Sequence, residues 1–247
     1  MSVMWNMWHG CTRYSEGCKY CYVYRGDESR GLDAGVVKKT AAFDLIERKD
    51  RYGQYKIRGG ETVFMCFTSD FLVEEADEWR GDIFAMMRRR PELNYFFITK
   101  RILRLQSALP PDWGDGWDNV RVGLTCENER RLKERAPCFL SLPLKHRALI
   151  LEPFLSEMDI RSFISGGGIE EVVAGGESGE DARPVCYDWI LKVRRACADC
   201  GVTFRFKQTG ARFVKDGVCY RIKRSEQHRQ AEKAGINFVG SYIPEDF

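Results

Sequence analysis

The sequence lacks long apolar runs. No stretch approaches the roughly 20 apolar residues that a transmembrane helix requires, which argues against a membrane-spanning chain. The first residues, with Trp5, Asn6 and His9 among them, also lack the pattern of a signal or transit peptide. We therefore expect a cytoplasmic protein with no membrane partner.

A strong excess of charge of one sign is also absent. The 39 basic and 36 acidic side chains leave a formal net charge of +3. That value is too small for a strongly basic nucleic-acid-binding domain. Three local basic segments remain, at residues 88–90, 130–133 and 221–233. Solvated helix faces with interspersed glutamates are the simple interpretation, and contact with phosphates is the alternative for the first and third segments.

Apolar runs of β type alternate with helical patterns along most of the chain. Such alternation favours a parallel sheet with right-handed crossovers, and 247 residues is close to the usual size of a (β/α) barrel. We predict an α/β fold, a partial (β/α) TIM-like barrel of six to seven parallel strands over residues 1–211, followed by a C-terminal cap at 212–247. The predicted strands are 3–8, 62–68, 95–99, 120–124, 147–151, 171–174 and 203–206. The longer predicted helices are 36–48, 74–89, 128–135 and 185–198.

Polar residues follow the end of each predicted strand. In a barrel these positions meet at one mouth, where the active sites of barrel enzymes lie. For any single residue, entry of the chain into solvent explains its polarity equally well. The residues are Cys11, Ser69, Asp70, Thr99, Lys100, Thr125, Glu127, Asn128, Glu152, Glu177, Ser178, Lys207 and Gln208.

Ten cysteines occur without a secretory signal, which favours reduced thiols over disulfides. Three of them, Cys11, Cys18 and Cys21, lie within eleven residues. Four thiolates complete a structural zinc or iron–sulfur site, whereas three leave one metal position open for chemistry. We predict a reactive metal centre on this loop. A zinc site of the three cysteines and His9 is the alternative.

The C-x6-C-x2-C spacing, with an aromatic residue inside its last step, resembles the cluster motif of radical S-adenosylmethionine (radical SAM) enzymes. The commonest spacing in that superfamily, C-x3-C-x2-C, is different. The chain is more similar to a group of phage and bacterial radical-SAM-like proteins, over roughly residues 3–211. The similar runs are WNMWHGC (5–11), SEGCKYCY (15–22), ILEP (150–153), GGESG (175–179) and FKQTG (206–210).

This resemblance implies an enzyme in which Cys11, Cys18 and Cys21 hold a 4Fe-4S cluster and the open iron binds SAM. An electron donor such as flavodoxin or ferredoxin would reduce the cluster, and cleavage of SAM would yield a 5′-deoxyadenosyl radical. That radical would abstract hydrogen from an unactivated carbon. We expect an isomerase in preference to a lyase or a transferase; whether SAM is consumed or regenerated stays open.

The resemblance also suggests which residues would hold SAM. They stand near the cluster motif or after strand ends, where the superfamily contacts adenine, the amino group and the ribose. The usual Gly-Gly-Glu after the second strand is absent here. The expected cofactor-binding residues are Tyr20 for adenine, Thr68, Ser69 and Asp70 for the amino group, Thr125, Glu127 and Asn128 for the ribose, and Glu177 and Ser178 for adenine or substrate.

Lys100, Glu152 and Lys207 remain as catalytic candidates that would contact the substrate. An internal ion pair between Lys207 and Glu152 is the alternative, since a buried charge must be paired or used. The other cysteines carry weaker predictions. Cys66, Cys126 and Cys138 have the character of small core residues, and an auxiliary metal site could combine Cys197 and Cys200 with Cys186 and Cys219.

The phage relationship makes a base in phage DNA the preferred substrate, as in thymine hypermodification, and the compartment would then be the host cytoplasm. Kinship of fold cannot by itself fix a substrate. Three alternatives stay open. They are a DNA lesion repair lyase of the spore-photoproduct-lyase kind, an enzyme that modifies a free nucleotide, peptide or metabolite, and a non-enzymatic nucleic-acid-binding module with a structural zinc.

Overall fold

A computed structural model of the chain describes residues 2–241. This part of the chain contains twelve strands. In chain order, β1 to β12 are Ser2–Trp5, Trp8–His9, Lys38–Lys39, Thr62–Met65, Asn94–Thr99, Val120–Thr125, His146–Leu151, Glu171–Gly175, Val185–Cys186, Thr203–Gln208, Arg212–Lys215 and Val218–Arg221.

The same residues form seven α-helices and five short 3-10 turns. The helices α1 to α7 are Tyr22–Glu28, Asp77–Arg89, Leu105–Ala108, Glu129–Ser141, Arg161–Ile164, Tyr187–Asp199 and Gln227–Lys233. The 3-10 turns are Glu16–Cys18, Leu45–Glu47, Glu74–Ala76, Ile102–Arg104 and Arg224–Glu226. Within residues 2–241, no helix combines the length and the apolar character needed to cross a membrane.

Seven strands form one parallel sheet in the order β1-β4-β5-β6-β7-β8-β10. The spatial order follows the chain order, so each crossover connects neighbouring strands. The sheet curls into a half-barrel, which confirms the predicted mixed α/β fold with seven parallel strands. Parallel strands in one direction bring all their carboxyl ends to the same edge.

The two faces of the sheet are buried in different ways. On the outer face, alternate residues such as Val63, Phe97 and Leu124 belong to the large core shared with the helices. On the inner face, Phe96 and Ile150 belong to a smaller apolar cluster. Burial on both faces explains why these strands read as nearly continuous apolar runs rather than as alternating ones.

Two predicted strands are shorter than the apolar runs suggested. The run 62–68 ends as a strand at Met65, because Cys66 adopts a left-handed conformation with φ of 59°. A strand cannot continue through that conformation. The run 3–8 likewise divides into β1 and β2, and β2 leaves the sheet to pair with β3.

The predicted helix at 36–48 was wrong. Residues 38–39 form β3, which pairs antiparallel with β2, and the Thr40 N–H donates to the Met7 carbonyl at 2.9 Å. These long-range backbone bonds override the local helical pattern. The first α-helix instead begins at Tyr22, directly after Cys21. The predicted helix at 185–198 also starts later, because Val185 and Cys186 pair with β11.

The segment predicted as a C-terminal cap begins with an antiparallel hairpin of β11 and β12. Helix α7 follows and packs against β10. A backbone bridge between Phe204 and Phe238 ties the end of the described chain to β10. Residues 242–247 of the predicted cap lie outside the described residues.

A substitution at Gly176 tests how closely the ends of β8 and β10 approach each other. A Cβ at this position would lie 2.3 Å from the Thr209 carbonyl oxygen. We expect Gly176→Ala to lower the free energy of unfolding by about 1–3 kcal/mol, because backbone must move to relieve the overlap. Denaturant unfolding measures the change. The control is Gly26→Ala in α1, where the added methyl meets no atom within 4 Å; equal losses in both variants would contradict this packing.

Candidate functional site

A cavity of about 330 Å³ lies at the carboxyl ends of the strands. Each strand from β4 onward in the sheet contributes residues at or just after its end. Twelve of the residues predicted for the site line this cavity: Cys11, Cys18, Tyr20, Cys21, Ser69, Asp70, Lys100, Thr125, Glu152, Glu177, Ser178 and Lys207.

The cysteine loop, residues 11–21, forms one wall of the cavity. Its entry depends on Gly10, whose φ is +93° and whose Cβ would lie 2.2 Å from the Val36 carbonyl oxygen. Only glycine fits that approach. The loop contains the 3-10 turn Glu16–Cys18 and ends where α1 begins. All three of its cysteines have free thiols.

Cys11 is partly buried and packs against the large core. Burial and the nearby Asp70 carboxylate raise the pKa of the Cys11 thiol to about 12, although Arg101 acts in the opposite direction. The Arg101 Nη1 donates to Cys11 Sγ at 3.7 Å. Metal binding would therefore have to displace the Cys11 proton, and Arg101 would then donate to a metal-bound sulfur.

Glu127 lies under the cysteine loop rather than on the cavity wall. Its carboxylate accepts a hydrogen bond from the Ser15 hydroxyl and pairs with Arg135 at 2.8 Å, and both charged side chains are fully buried. Burial alone raises the pKa of Glu127, but Lys100 and Arg135 outweigh this and hold it below its ordinary value. A Cβ on Gly17 would lie 3.1 Å from Glu127, so the loop packs directly on this carboxylate.

Asn128 also supports the loop. Its side-chain oxygen accepts from the Arg131 N–H at 3.0 Å, which makes Asn128 the N-cap of α4. Its amide nitrogen donates to Glu16 at 2.5 Å, and Arg131 pairs with the same carboxylate at 2.7 Å. Two of the three residues predicted for ribose contact, Glu127 and Asn128, thus anchor the loop and do not line the cavity, whereas Thr125 does line it.

Asp70 connects the ends of β4 and β5. One carboxylate oxygen accepts from the Thr99 hydroxyl at 2.7 Å and the Leu72 N–H at 2.9 Å. The other accepts from the Lys100 N–H at 3.0 Å and lies 3.4 Å from Arg101 Nη1. These partners occupy the lone pairs of the carboxylate, so Asp70 positions Lys100 and Arg101.

Thr68 and Ser69, predicted together with Asp70, are placed differently. Ser69 lines the cavity and donates to the Gly10 carbonyl, which ties the strand end to the entry of the cysteine loop. Thr68 lies off the cavity wall; its hydroxyl is 3.4 Å from the Trp8 carbonyl.

The ammonium group of Lys100 carries a charge into the cavity. Burial lowers the pKa of Lys100, but Cys18, Glu127 and Asp70 more than offset it, so the pKa is raised. Among residues 2–241, no hydrogen-bond or ion-pair partner of the ammonium lies within bonding distance. Lys100 is thus a fixed positive charge beside two of the three cysteines, available to an anionic ligand.

The carboxylates on the wall after β7 and β8 are already paired. Glu152 lies 2.7 Å from Lys207 Nζ and also accepts from Gln208, so the internal ion pair given above as the alternative to a catalytic role is present. Glu177 accepts two bonds from the Arg183 guanidinium, the longer at 2.8 Å. Ser178 accepts from Arg25 at 3.1 Å.

Several cavity residues were missed by the sequence reasoning. Arg101 had a signal, since it directly follows Lys100 after a strand. Tyr22 had a weaker one beside the cysteine motif. Arg224 and His228 lie in the basic segment 221–233, but the sequence did not place that segment at the cavity, which they reach through the packing of α7 on β10.

A family model described as "Protein of unknown function (DUF5131)" matches residues 1–243 of the chain. The chain belongs to the DUF5131 family. No curated protein and no solved structure matches it.

The side chains of this DUF5131 protein can be tested for their fit to a metal group. In residues 2–241, no three His, Cys, Asp or Glu side chains are placed to bind a single metal ion. His9 does not join the cysteines, because its Nε2 lies 2.7 Å from the Asp27 carboxylate. A 4Fe-4S cluster makes a different demand, since each cysteine binds its own iron at a corner of a cube. The three free thiols that line this cavity are the type and number of ligands that such a cluster with one open iron needs.

The remaining cysteines lie apart from this wall, except Cys66. Cys66 borders the cavity but is buried in the core of the sheet. Cys126 and Cys197 are buried in the same core. None of Cys186, Cys197, Cys200 and Cys219 forms part of a metal-binding group among the described residues.

The buried pair under the cysteine loop gives a stability prediction. We expect Glu127→Gln to lower the free energy of unfolding by about 3 kcal/mol, because the Arg135 charge stays buried without its counterion. The control is Glu129→Gln, which removes a carboxylate that pairs with the exposed Lys133 and should cost less than about 1 kcal/mol. Denaturant unfolding of both variants decides; equal losses would show that the buried pair does not anchor this region.

Proposed function

We propose that this protein is a radical SAM enzyme that holds a 4Fe-4S cluster on Cys11, Cys18 and Cys21. The observation that supports this most is the common location of three free thiols and two cations on one wall of a cavity at the carboxyl ends of a parallel half-barrel. Active sites of barrel enzymes lie at this end. A structural zinc module would need neither the cavity nor the cations.

In this proposal, different residues hold the cluster, contact its sulfur ligands and bind SAM. The three cysteines would hold the cluster, and Arg101 would donate to the Cys11 sulfur, a contact of the kind that tunes cluster potentials. Lys100 would bind the carboxylate of SAM as a charge-assisted partner. When bound and reduced, the cluster would supply one electron to SAM, and cleavage of a C–S bond would release methionine together with a 5′-deoxyadenosyl radical. The protein contributes binding, alignment and exclusion of water.

The geometry revises the set of residues proposed to contact SAM. Tyr20, Ser69, Thr125, Glu177 and Ser178 line the cavity and stay in the proposal. Thr68, Glu127 and Asn128 leave it, because they support the loop or the strand ends from outside the cavity. Asp70 changes from a ligand to a residue that positions Lys100 and Arg101.

For the substrate, we propose a base in phage DNA, with isomerisation of a group attached to thymine as the preferred reaction. The apolar side chains Ile98 and Ile150 on the cavity wall suit a reaction that must exclude water. A base in a duplex would have to leave the stack to reach this cavity. Flavodoxin or ferredoxin would serve as the electron donor.

The cluster assignment is tested by removing single cysteines. After anaerobic reconstitution we expect about four irons and four sulfides per chain, as the cluster type requires. Cys11→Ala, Cys18→Ala and Cys21→Ala should each lose the cluster absorbance and SAM cleavage. Cys126→Ala and Cys138→Ala, which remove thiols that do not line the cavity, should retain both. A variant of Cys18 that kept its iron while Cys126→Ala lost it would reverse the assignment.

The role of Lys100 is tested by SAM affinity. We expect Lys100→Met to weaken SAM binding by about 1.5–3 kcal/mol, the range for a hydrogen bond to a charged group, while iron content stays unchanged. Lys192→Met, at a lysine paired with Glu157 on the outside of α6, is the control. Isothermal titration of both reconstituted variants gives the comparison. Unchanged affinity in Lys100→Met would move the SAM carboxylate elsewhere.

A further inference from the structure

Arg224 and His228 enter the cavity wall from the C-terminal segment. Arg224 Nη1 donates to the side-chain oxygen of Gln208 at 3.4 Å, and His228 Nδ1 lies 2.9 Å from the Lys207 carbonyl oxygen. Both contacts place these residues beside the ends of β10, next to the Lys207–Glu152 pair. The reaction proposed above uses neither residue.

The charged side chains on this part of the cavity wall do not all pair with one another. Lys207 is paired with Glu152, and Arg101 with Asp70. Glu177 is neutralised by Arg183 from outside the wall. Among residues 2–241, Arg224 has no carboxylate within ion-pair distance, and the neighbouring Glu226 pairs with Arg229 instead. The guanidinium of Arg224 therefore has donors left for a ligand.

The segment that carries Arg224 is firmly held. Gln227 is buried; its side chain donates to the Ile222 carbonyl at 3.1 Å, and its carbonyl accepts from the Thr209 N–H at 3.2 Å. The Lys207 carbonyl can only accept, so His228 Nδ1 carries a proton and Nε2 remains for a ligand.

An aromatic ring lines the same cavity as these donors. The side chain of Tyr22 is 55% exposed, and its hydroxyl donates to the Phe67 carbonyl. An exposed ring and a guanidinium on the wall of one cavity suit a planar base joined to a phosphate, because the ring can stack on the base and the fork of Arg can bind the phosphate oxygens bidentately.

We propose that Arg224, with His228 beside it, binds a phosphate group of a nucleotide at the mouth of the cavity, with Tyr22 against the base. Only the description of this nucleotide as the substrate rests on the function proposed above. The exposed Arg221 and Lys223 continue the positive charge beyond the mouth, along a path that a strand of nucleotides could follow.

The basic segment at residues 88–90 does not take part in this phosphate site. Residues 88–90 precede β5 and so lie at the opposite edge of the sheet from the cavity. Arg88 pairs with Asp112 at 2.6 Å, and the buried Arg90 donates to the Ile57 carbonyl at 2.7 Å. The expectation that these arginines touch phosphates together with residues 221–233 therefore finds no support in their position.

The test compares three probes on the reconstituted full-length chain: thymidine, thymidine 5′-monophosphate and a single-stranded thymidine oligonucleotide. We expect the monophosphate to bind more tightly than thymidine. Arg224→Gln should weaken binding of the monophosphate about ten- to a hundredfold and leave binding of thymidine nearly unchanged. Lys223→Gln, which removes the same charge one residue away and off the cavity wall, should change the monophosphate less than about threefold.

Equal weakening by Arg224→Gln and Lys223→Gln would overturn the proposal, as would equal binding of thymidine and its monophosphate. Tighter, salt-dependent binding of the oligonucleotide would identify a strand as the source of the phosphate; binding equal to the monophosphate would identify a free nucleotide. Arg224→Gln should keep the iron content of the parent. A parent chain that loads no iron but shows Arg224-dependent phosphate binding would reject the enzyme and retain the nucleotide site.

Discussion

The buried ion pair between Glu127 and Arg135 is the interaction on which the candidate site depends. It joins the end of β6 to α4, and its carboxylate also holds Ser15 of the cysteine loop. Without a counterion, either charge would be costly at this depth. The pair therefore fixes the strand end, the helix and the loop in one arrangement, and Gly17 lets the loop rest directly on it.

A second carboxylate does the same on the neighbouring strands. Asp70 accepts hydrogen bonds from the Thr99 hydroxyl and the Lys100 N–H and pairs with Arg101. The Arg101 guanidinium in turn donates to Thr12 and to the Cys11 sulfur. The cysteine loop is thus held at Cys11 from one side and at residues 15–17 from the other. This leaves the thiols and the Lys100 ammonium on the cavity wall, where a cofactor could meet them.

The sequence was sufficient for the sheet and for the location of the site. Seven apolar runs became seven parallel strands, and most polar residues at their ends came to one cavity. It failed where long-range backbone pairing overrode a local pattern, as for the helix expected at 36–48. It also could not tell a polar residue that faces the cavity from one that faces the loop beneath it. Glu127 and Ser69 both follow strands and both contact the cysteine loop or its entry, but only Ser69 lines the cavity. The sequence could not place Arg224 and His228 at the cavity, because their position depends on how α7 packs on β10.

We propose that the three cysteines hold a cluster whose open iron binds SAM. The most direct measurement is to reduce the reconstituted protein anaerobically, add SAM, and quantify 5′-deoxyadenosine and methionine by chromatography. We expect both products to form only in the reduced, iron-loaded protein, together with a change in the electron paramagnetic resonance spectrum of the cluster when SAM is added. Stoichiometric zinc in place of iron, or a fully loaded cluster whose spectrum ignores SAM and yields neither product, would contradict it.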